Sequence, residues 1–221
     1  MAPTVKVAAT KPAHPPYWLK ARRALTKADP IMAKLIAAHP RVAMTTRGDA
    51  FVTLARSITG QQISTKAADA VWRRFETACI DLSPRGVLRR RAPTLRACGL
   101  SDRKVEYIRD LASHFVKGSI DPTRFPEQDD EAIITELTAV RGIGRWTAEM
   151  FLMFNLLRPN VLPLDDLGLL KAVSQNYFDG EPIIGREGKA RVTQLAEAWA
   201  PWRSVATWYL WRTFDPVPVE Y

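Results

Sequence analysis

Between residues 15 and 214, nearly every segment repeats its apolar residues at helical spacing, and no run of five or more alternates apolar with polar. This pattern predicts an all-α fold. Tyr17 to Ala28 and Ile31 to Ala38 read as helices parted by Asp29-Pro30, since proline stops the helix before it. Ala50 to Ile58 sets Phe51, Leu54, Ala55 and Ile58 on one face. Ser64 or Thr65 caps a helix reaching about Thr77, whose apolar face is Ala67, Ala68, Val71, Trp72 and Phe75. Ser83-Pro84 opens a short helix. Ser101 or Asp102 opens another, which Gly118 ends. Asp129 and Asp130 lead a helix with acids at the positive end of its dipole. Arg145 to Leu157, Asp166 to Phe178, Arg191 to Trp199 and Trp202 to Phe214 complete the set. The Val161-Leu162-Pro163-Leu164 run is extended, but Pro163 argues against a central strand.

Charge points to a partner. Thirty-two Lys and Arg face 23 Asp and Glu, a formal net charge of +9, which suits a polyanion, with nucleic acid ahead of a membrane surface. The apolar content of 47% excludes general disorder. The longest mostly apolar stretch, Met150 to Leu157, is too short to cross a bilayer, so no membrane partner is expected. Residues 1–14 read as a disordered basic tail without a secretory pattern. With Cys79 and Cys98 alone, no disulfide framework and no four-cysteine iron–sulfur cluster is expected; both read as small buried hydrophobes. His14, His39 and His114 are scattered and form no metal constellation.

The segment 137–148 reads LTAVRGIGRWTA. A helix ends near Val140, Gly142-Ile143-Gly144 makes a tight turn, and a second helix starts near Arg145. The glycines permit backbone angles closed to other residues and bare successive N–H groups at a helix N-terminus, a seat for a phosphate oxygen. Arg141 and Arg145 add charge beside it. After the second helix comes VLPLDDLGLLKA, with Asp165 and Asp166 at the mouth of a new helix, where aspartate is favoured as a cap.

Hairpin, helix, proline-containing loop and aspartate in this order resemble the HhH-GPD superfamily, over roughly residues 50 to 214. Within it the chain resembles the DNA-3-methyladenine glycosylase II family. SITGQQIS at 57–64, GIGRWTAEMF at 142–151, LPLDD at 162–166 and WAPWRSVATWYLW at 199–211 are the matching segments. The resemblance implies two helical subdomains with a cleft between them: 50–150 as a central bundle, and 15–49 joined to 151–221.

It also implies roles. Asp166 would be the catalytic carboxylate, with Asp165 as the fallback and the helix cap. Trp146, Trp211, Met150 and Leu167 would form the base pocket. Met150 and Leu167 stand where bacterial relatives carry tyrosines, and Arg141 stands where a proline is frequent. Gln62, with Gln61 beside it, would fill the gap left by an extruded nucleotide. Gly142, Gly144, Arg141, Arg145 and Thr147 would hold the DNA phosphate. The carbonyls of Thr138, Val140 and Ile143 would hold a structural Na+ or K+, and no other cofactor is required. Trp146 stands where strand-cleaving relatives carry a lysine, so no lyase step is expected.

The implied function is monofunctional hydrolysis of the N-glycosidic bond of alkylated purines in duplex DNA, by a monomer acting in a bacterial cytoplasm or a eukaryotic nucleus. The alternatives are a glycosylase for deaminated, oxidised or mismatched bases, and a DNA-structure binder without chemistry. Of the charge runs, Arg85, Arg89, Arg90, Arg91, Arg96, Arg103, Lys104 and Arg109 are either a phosphate track or a solvated face, and acidic 127–136 is expected to face away from DNA.

Overall fold

The computed structural model describes residues 15–40, 43–46 and 48–214; the expected tail at 1–14 lies outside them. The described residues form twelve α-helices and two 3-10 turns, with no strand. Helices α1 (Trp18–Ala28) and α2 (Pro30–Ala38) meet at Asp29, whose Oδ1 accepts from the N–H groups of Ile31 and Met32 while Pro30 takes the first helical position. Helices α3 (Ala50–Gly60), α4 (Thr65–Cys79), α5 (Pro84–Leu88) and α7 (Asp102–Lys117) are capped by the side chains of Asp49, Ser64, Ser83 and Ser101. Gly118 closes α7 at φ 76°, the left-handed stop that glycine permits. Asp129 caps α8 (Asp130–Thr138).

Some expectations are corrected. A short helix α6 (Ala92–Ala97) stands in a stretch with no apolar period. Helix α9 (Arg145–Phe154) stops before Leu157, which takes φ 54° while the Arg158 N–H turns back to the Leu152 carbonyl at 2.8 Å. Helix α10 spans Leu167–Tyr177. Helix α11 (Gly185–Leu195) starts earlier than Arg191, and Ala196–Trp199 tightens into a 3-10 turn. Helix α12 spans Arg203–Trp211.

Helices α1, α2, α10 and α12 pack with the 196–199 turn. Helices α3, α4, α5, α6 and α7 form a second group, which α9 joins through α3, bringing α8. Helix α9 runs through residue 150, so a division there would cut a helix. Of the four tryptophans at 199–211, Trp199 and Trp208 are plain core, Trp208 set edge-on to Trp18. Cys79 and Cys98 are buried, and burial pushes the Cys79 thiol up to about 11. The Asp29 carboxylate is also buried: Oδ2 accepts from the Tyr177 hydroxyl at 2.6 Å and Trp199 Nε1 at 2.9 Å. With four hydrogen bonds accepted, it joins α2, α10 and the 196–199 turn.

Candidate active site

The hairpin forms where expected. Helix α8 ends, Gly142 takes φ 83°, and the Ile143 N–H closes the turn on the Val140 carbonyl at 3.1 Å. Ile143 is buried and anchors the turn. Gly144 caps α9 without a side chain, leaving the first-turn N–H groups uncapped from that side. The two arginines are not free, however. Arg141 pairs with Glu106 and Asp110 of α7, and its backbone N–H donates to Asp110 Oδ2 at 2.9 Å. Arg145 pairs with Glu131 and Glu149. Glu131 thereby brings one acid of the 127–136 segment to the hairpin. Thr147 is buried and lines a cavity rather than the surface.

Beside the hairpin lies the Asp166 carboxylate, half-buried. Its Oδ2 accepts from Trp146 Nε1 at 2.9 Å; its Oδ1 accepts from Trp211 Nε1 at 2.8 Å and from the Leu169 N–H at 2.6 Å. Asp166 is thus itself the cap of α10. Asp165, expected to be that cap, is exposed and pairs with Lys189. Asp166 needs α9, α10 and α12 together, one donor from each. Gly168 permits the approach: a Cβ there would lie 3.1 Å from Asp166 Oδ1 and 3.3 Å from Trp211 Cδ1.

A cavity of about 420 Å³ opens between α3, the 60–63 turn, α4 and α9, the size of a small-molecule site. Trp146, Met150, Phe151 and Phe154 form its apolar wall, and Gln61, Gln62, Arg56 and Asp69 its polar edge. Trp146 is therefore both a wall and an Asp166 donor. Trp211 stands behind the wall, stacked on Phe154 at 5.9 Å, and is not itself part of the lining. Leu167 is outside the cavity and 81% exposed. Gln62 is exposed at φ 60°, a left-handed conformation that costs a non-glycine residue about 1–2 kcal/mol. Gln61 is tied to the hairpin, its Nε2 donating to the Gly142 carbonyl at 2.9 Å.

Half of the basic run at 85–109 is occupied within the fold. Arg90 donates to the Cys79 carbonyl, Arg109 to Leu88 and Arg90 carbonyls, Lys104 to Thr59 and Gln61 carbonyls, and Arg96 pairs with Asp102. Among the described residues, Arg85, Arg89, Arg91 and Arg103 make no side-chain hydrogen bond, Arg89 lying near enough to Asp81 to act on its charge. The sequence showed Lys104 only as one cation of the run and did not single out Gly168 or Phe154. A glycine two residues after the acid was the one visible signal.

Glu149, on α9 one turn after Arg145, is buried, and burial pushes its carboxyl from an ordinary 4.5 to about 7 despite the Arg145 guanidinium beside it. The folded chain therefore holds a proton that the unfolded chain has released between those pH values. Stability from this group is full below pH 4.5 and is lost as pH rises through 7. Thermal melts from pH 5 to 8 are expected to show that decline, and Glu149→Gln is expected to flatten it. An equal slope in both proteins would place its source in another group.

The HhH-GPD superfamily model, described as a base excision DNA repair protein, matches residues 55–201. DNA-3-methyladenine glycosylase 1 of Schizosaccharomyces pombe is 35% identical over 164 residues, 72% of this chain and 70% of the relative. The crystal structure of a Bacillus halodurans DNA-3-methyladenine glycosidase superposes with a TM-score of 0.78 at 35% identity, covering 92% of this chain and 91% of that one. The S. pombe 3-methyladenine DNA glycosylase in complex with abasic DNA gives 0.73 at 31% identity, covering 89% and 97%. Family match, shared fold and the hairpin beside a held aspartate agree: the chain belongs to the HhH-GPD superfamily of base excision DNA repair proteins.

Proposed function

We propose that the protein is a monofunctional DNA glycosylase that releases alkylated purines, of the 3-methyladenine and 7-methylguanine type, from duplex DNA. The observation that carries this reading is the Asp166 carboxylate, held by two indole N–H groups and one backbone N–H beside a largely apolar cavity. A base taken out of the stack enters the cavity against Trp146. Alkylation makes that base cationic, so it gains a cation–π contact worth ~0.5–2 kcal/mol and leaves readily. As the glycosidic bond breaks, positive charge develops on the sugar, and the fixed carboxylate stabilises it and orients the attacking water. The lone carboxyl of the lining, Asp69, is paired with Arg56 at 2.9 Å. With no free acid to protonate a neutral leaving base, the cavity favours cationic lesions.

Duplex DNA as the partner is supported by the relative crystallised with abasic DNA and by the uncapped N-terminus of α9. The hairpin carbonyls suit a monovalent cation: among the described residues, no backbone N–H bonds to the Thr138 or Ile143 carbonyl, and Val140 accepts only from Ile143. The Thr138, Val140 and Ile143 carbonyls would hold sodium or potassium, which would supply positive charge at the hairpin.

The test is base release from methylated duplex DNA. Free 3-methyladenine or 7-methylguanine is expected, with strand breaks only after alkali, since no lysine lines the cavity. Breaks without alkali would contradict the monofunctional reading, and no released base would contradict the substrate. Trp211→Phe keeps a ring to stack on Phe154 but removes one donor from Asp166. It is expected to lower the single-turnover release rate about 10- to 100-fold with little change in DNA affinity, because a hydrogen bond to a charged group is worth about 1.5–3 kcal/mol. A wild-type rate in this variant would show that the Trp211 N–H does not hold the reactive carboxylate.

A further inference from the structure

We propose that Lys104 is a positioning residue for nucleotide extrusion, its ammonium fastening the turn that presents Gln62 at the cavity mouth. The inference rests on the reading above, in which Gln62 fills the vacated stack.

The turn between α3 and α4 is poorly held by its own backbone. Its two closing bonds, Gln61 N–H to the Ile58 carbonyl and Ile63 N–H to the Gly60 carbonyl, are both 3.4 Å, at the long edge of hydrogen bonding. Between them Gln62 keeps a left-handed backbone while exposed. Such a conformation persists only where surrounding contacts impose it. Two contacts from distant elements do so. Lys104 Nζ donates to the Thr59 carbonyl at 2.8 Å and to the Gln61 carbonyl at 2.7 Å, and Gln61 Nε2 donates to the Gly142 carbonyl. Gln61 is thus held at its main chain by α7 and at its side chain by the hairpin. Gln62 is left as the group free to reach outward.

The place of Lys104 on α7 supports this. It lies in the first turn, near the positive end of that helix dipole, where a cation is disfavoured. Nothing about α7 calls for a lysine there. At the C-terminus of α3, however, an ammonium meets carbonyls that have no helical partner and the negative end of the dipole. Partial burial lowers the Lys104 pKa, in keeping with an ammonium that faces two carbonyls as well as water. A lysine used to track phosphates would stay solvated.

The wedge matters most when the lesion is paired and stacked, and least when it is already unpaired. Single-turnover release of 7-methylguanine is therefore compared on a paired duplex and on a duplex that carries the lesion in a one-nucleotide bulge. Lys104→Met is expected to slow the paired substrate by about 10- to 100-fold, the scale of a small misplacement, and the bulged one by less than about threefold. Lys104→Arg, which can donate to both carbonyls, is expected to restore the paired rate to within about threefold. Melting temperature is followed for each variant, and Lys104→Gln replaces the Met variant if that one does not fold. A second readout needs no chemistry: 2-aminopurine beside a tetrahydrofuran abasic analogue brightens when a side chain enters the stack, and Lys104→Met is expected to lose most of that change. Equal rates for Lys104→Met and wild type on the paired duplex would overturn the assignment. So would equal losses on both substrates, which would mark a merely structural lysine. If wild type releases no base from either substrate, the glycosylase reading fails instead, and the 2-aminopurine signal still decides for or against Lys104.

Discussion

Replacing Asp166 with asparagine is expected to lower single-turnover release of 7-methylguanine by about 10³-fold while leaving affinity for an abasic duplex within about threefold. The size follows from Coulomb's law. Unit charges about 4 Å apart at an effective dielectric of about 20 interact by about 4 kcal/mol, close to three decades in rate. Asparagine also misfits its surroundings. Its carbonyl can accept from Trp211 and Leu169, as Oδ1 does, but its NH₂ then faces the Trp146 N–H, donor against donor. About 1–3 kcal/mol of stability is expected to go with that lost bond, visible as a modest fall in melting temperature. Asp165→Asn is the control. Asp165 is exposed and paired with Lys189, so a change of no more than about threefold is expected. Unimpaired release by Asp166→Asn, or an equal loss in Asp165→Asn, would move the catalytic role away from Asp166.

Which features were legible in the sequence depends on how local their causes are. The caps at Ser64, Ser83, Ser101 and Asp129 were legible to within one residue because a cap involves one side chain and N–H groups a few residues on. The Gly-Ile-Gly turn was legible for the same reason. The extent of α9 was not, since its stop depends on Leu157 and Arg158 bonding back after the apolar run. Asp166 shows where local reading divides. Cap and catalyst looked like competing roles, so the cap was given to Asp165. The structure assigns the cap to Asp166 and adds two indoles from α9 and α12, whose meeting no local spacing shows. Arg141 and Arg145 sat beside a phosphate seat in sequence, but Glu106, Asp110 and Glu131 come from other helices. Lys104 was one of eight cations in a run, and only the arrival of the end of α3 beside it sets it apart.

The hairpin glycines separate folding from binding, and a pair of alanine variants measures each. Gly142 stands at φ 83°, and a Cβ there would fall 2.2 Å from Cδ2 of the Tyr107 ring and 2.5 Å from its Cγ. Both the backbone angle and the space demand glycine. The left-handed angle costs alanine about 1 kcal/mol and the overpacking about 1–3 kcal/mol more. Gly142→Ala is therefore expected to cost about 3 kcal/mol, on the order of 10 °C in melting temperature for a chain of this size. Its carbonyl also accepts from Gln61, so displacing the turn shifts the wedge, and base release is expected to fall further than stability alone predicts. Gly144 is the opposite case. Its φ is −93° and nothing lies within 4 Å of an added Cβ, so Gly144→Ala is expected to cost under about 1 kcal/mol as a poorer cap. That methyl would project at the N-terminus of α9, where the phosphate is proposed to sit, and affinity for an abasic duplex is expected to fall about tenfold as the N–H groups are screened. Full affinity in Gly144→Ala would remove the phosphate from this helix end. An unchanged melting temperature in Gly142→Ala would mean that the Tyr107 ring moves aside, in which case the hairpin is less rigidly joined to α7 than the close approach of ring and turn requires.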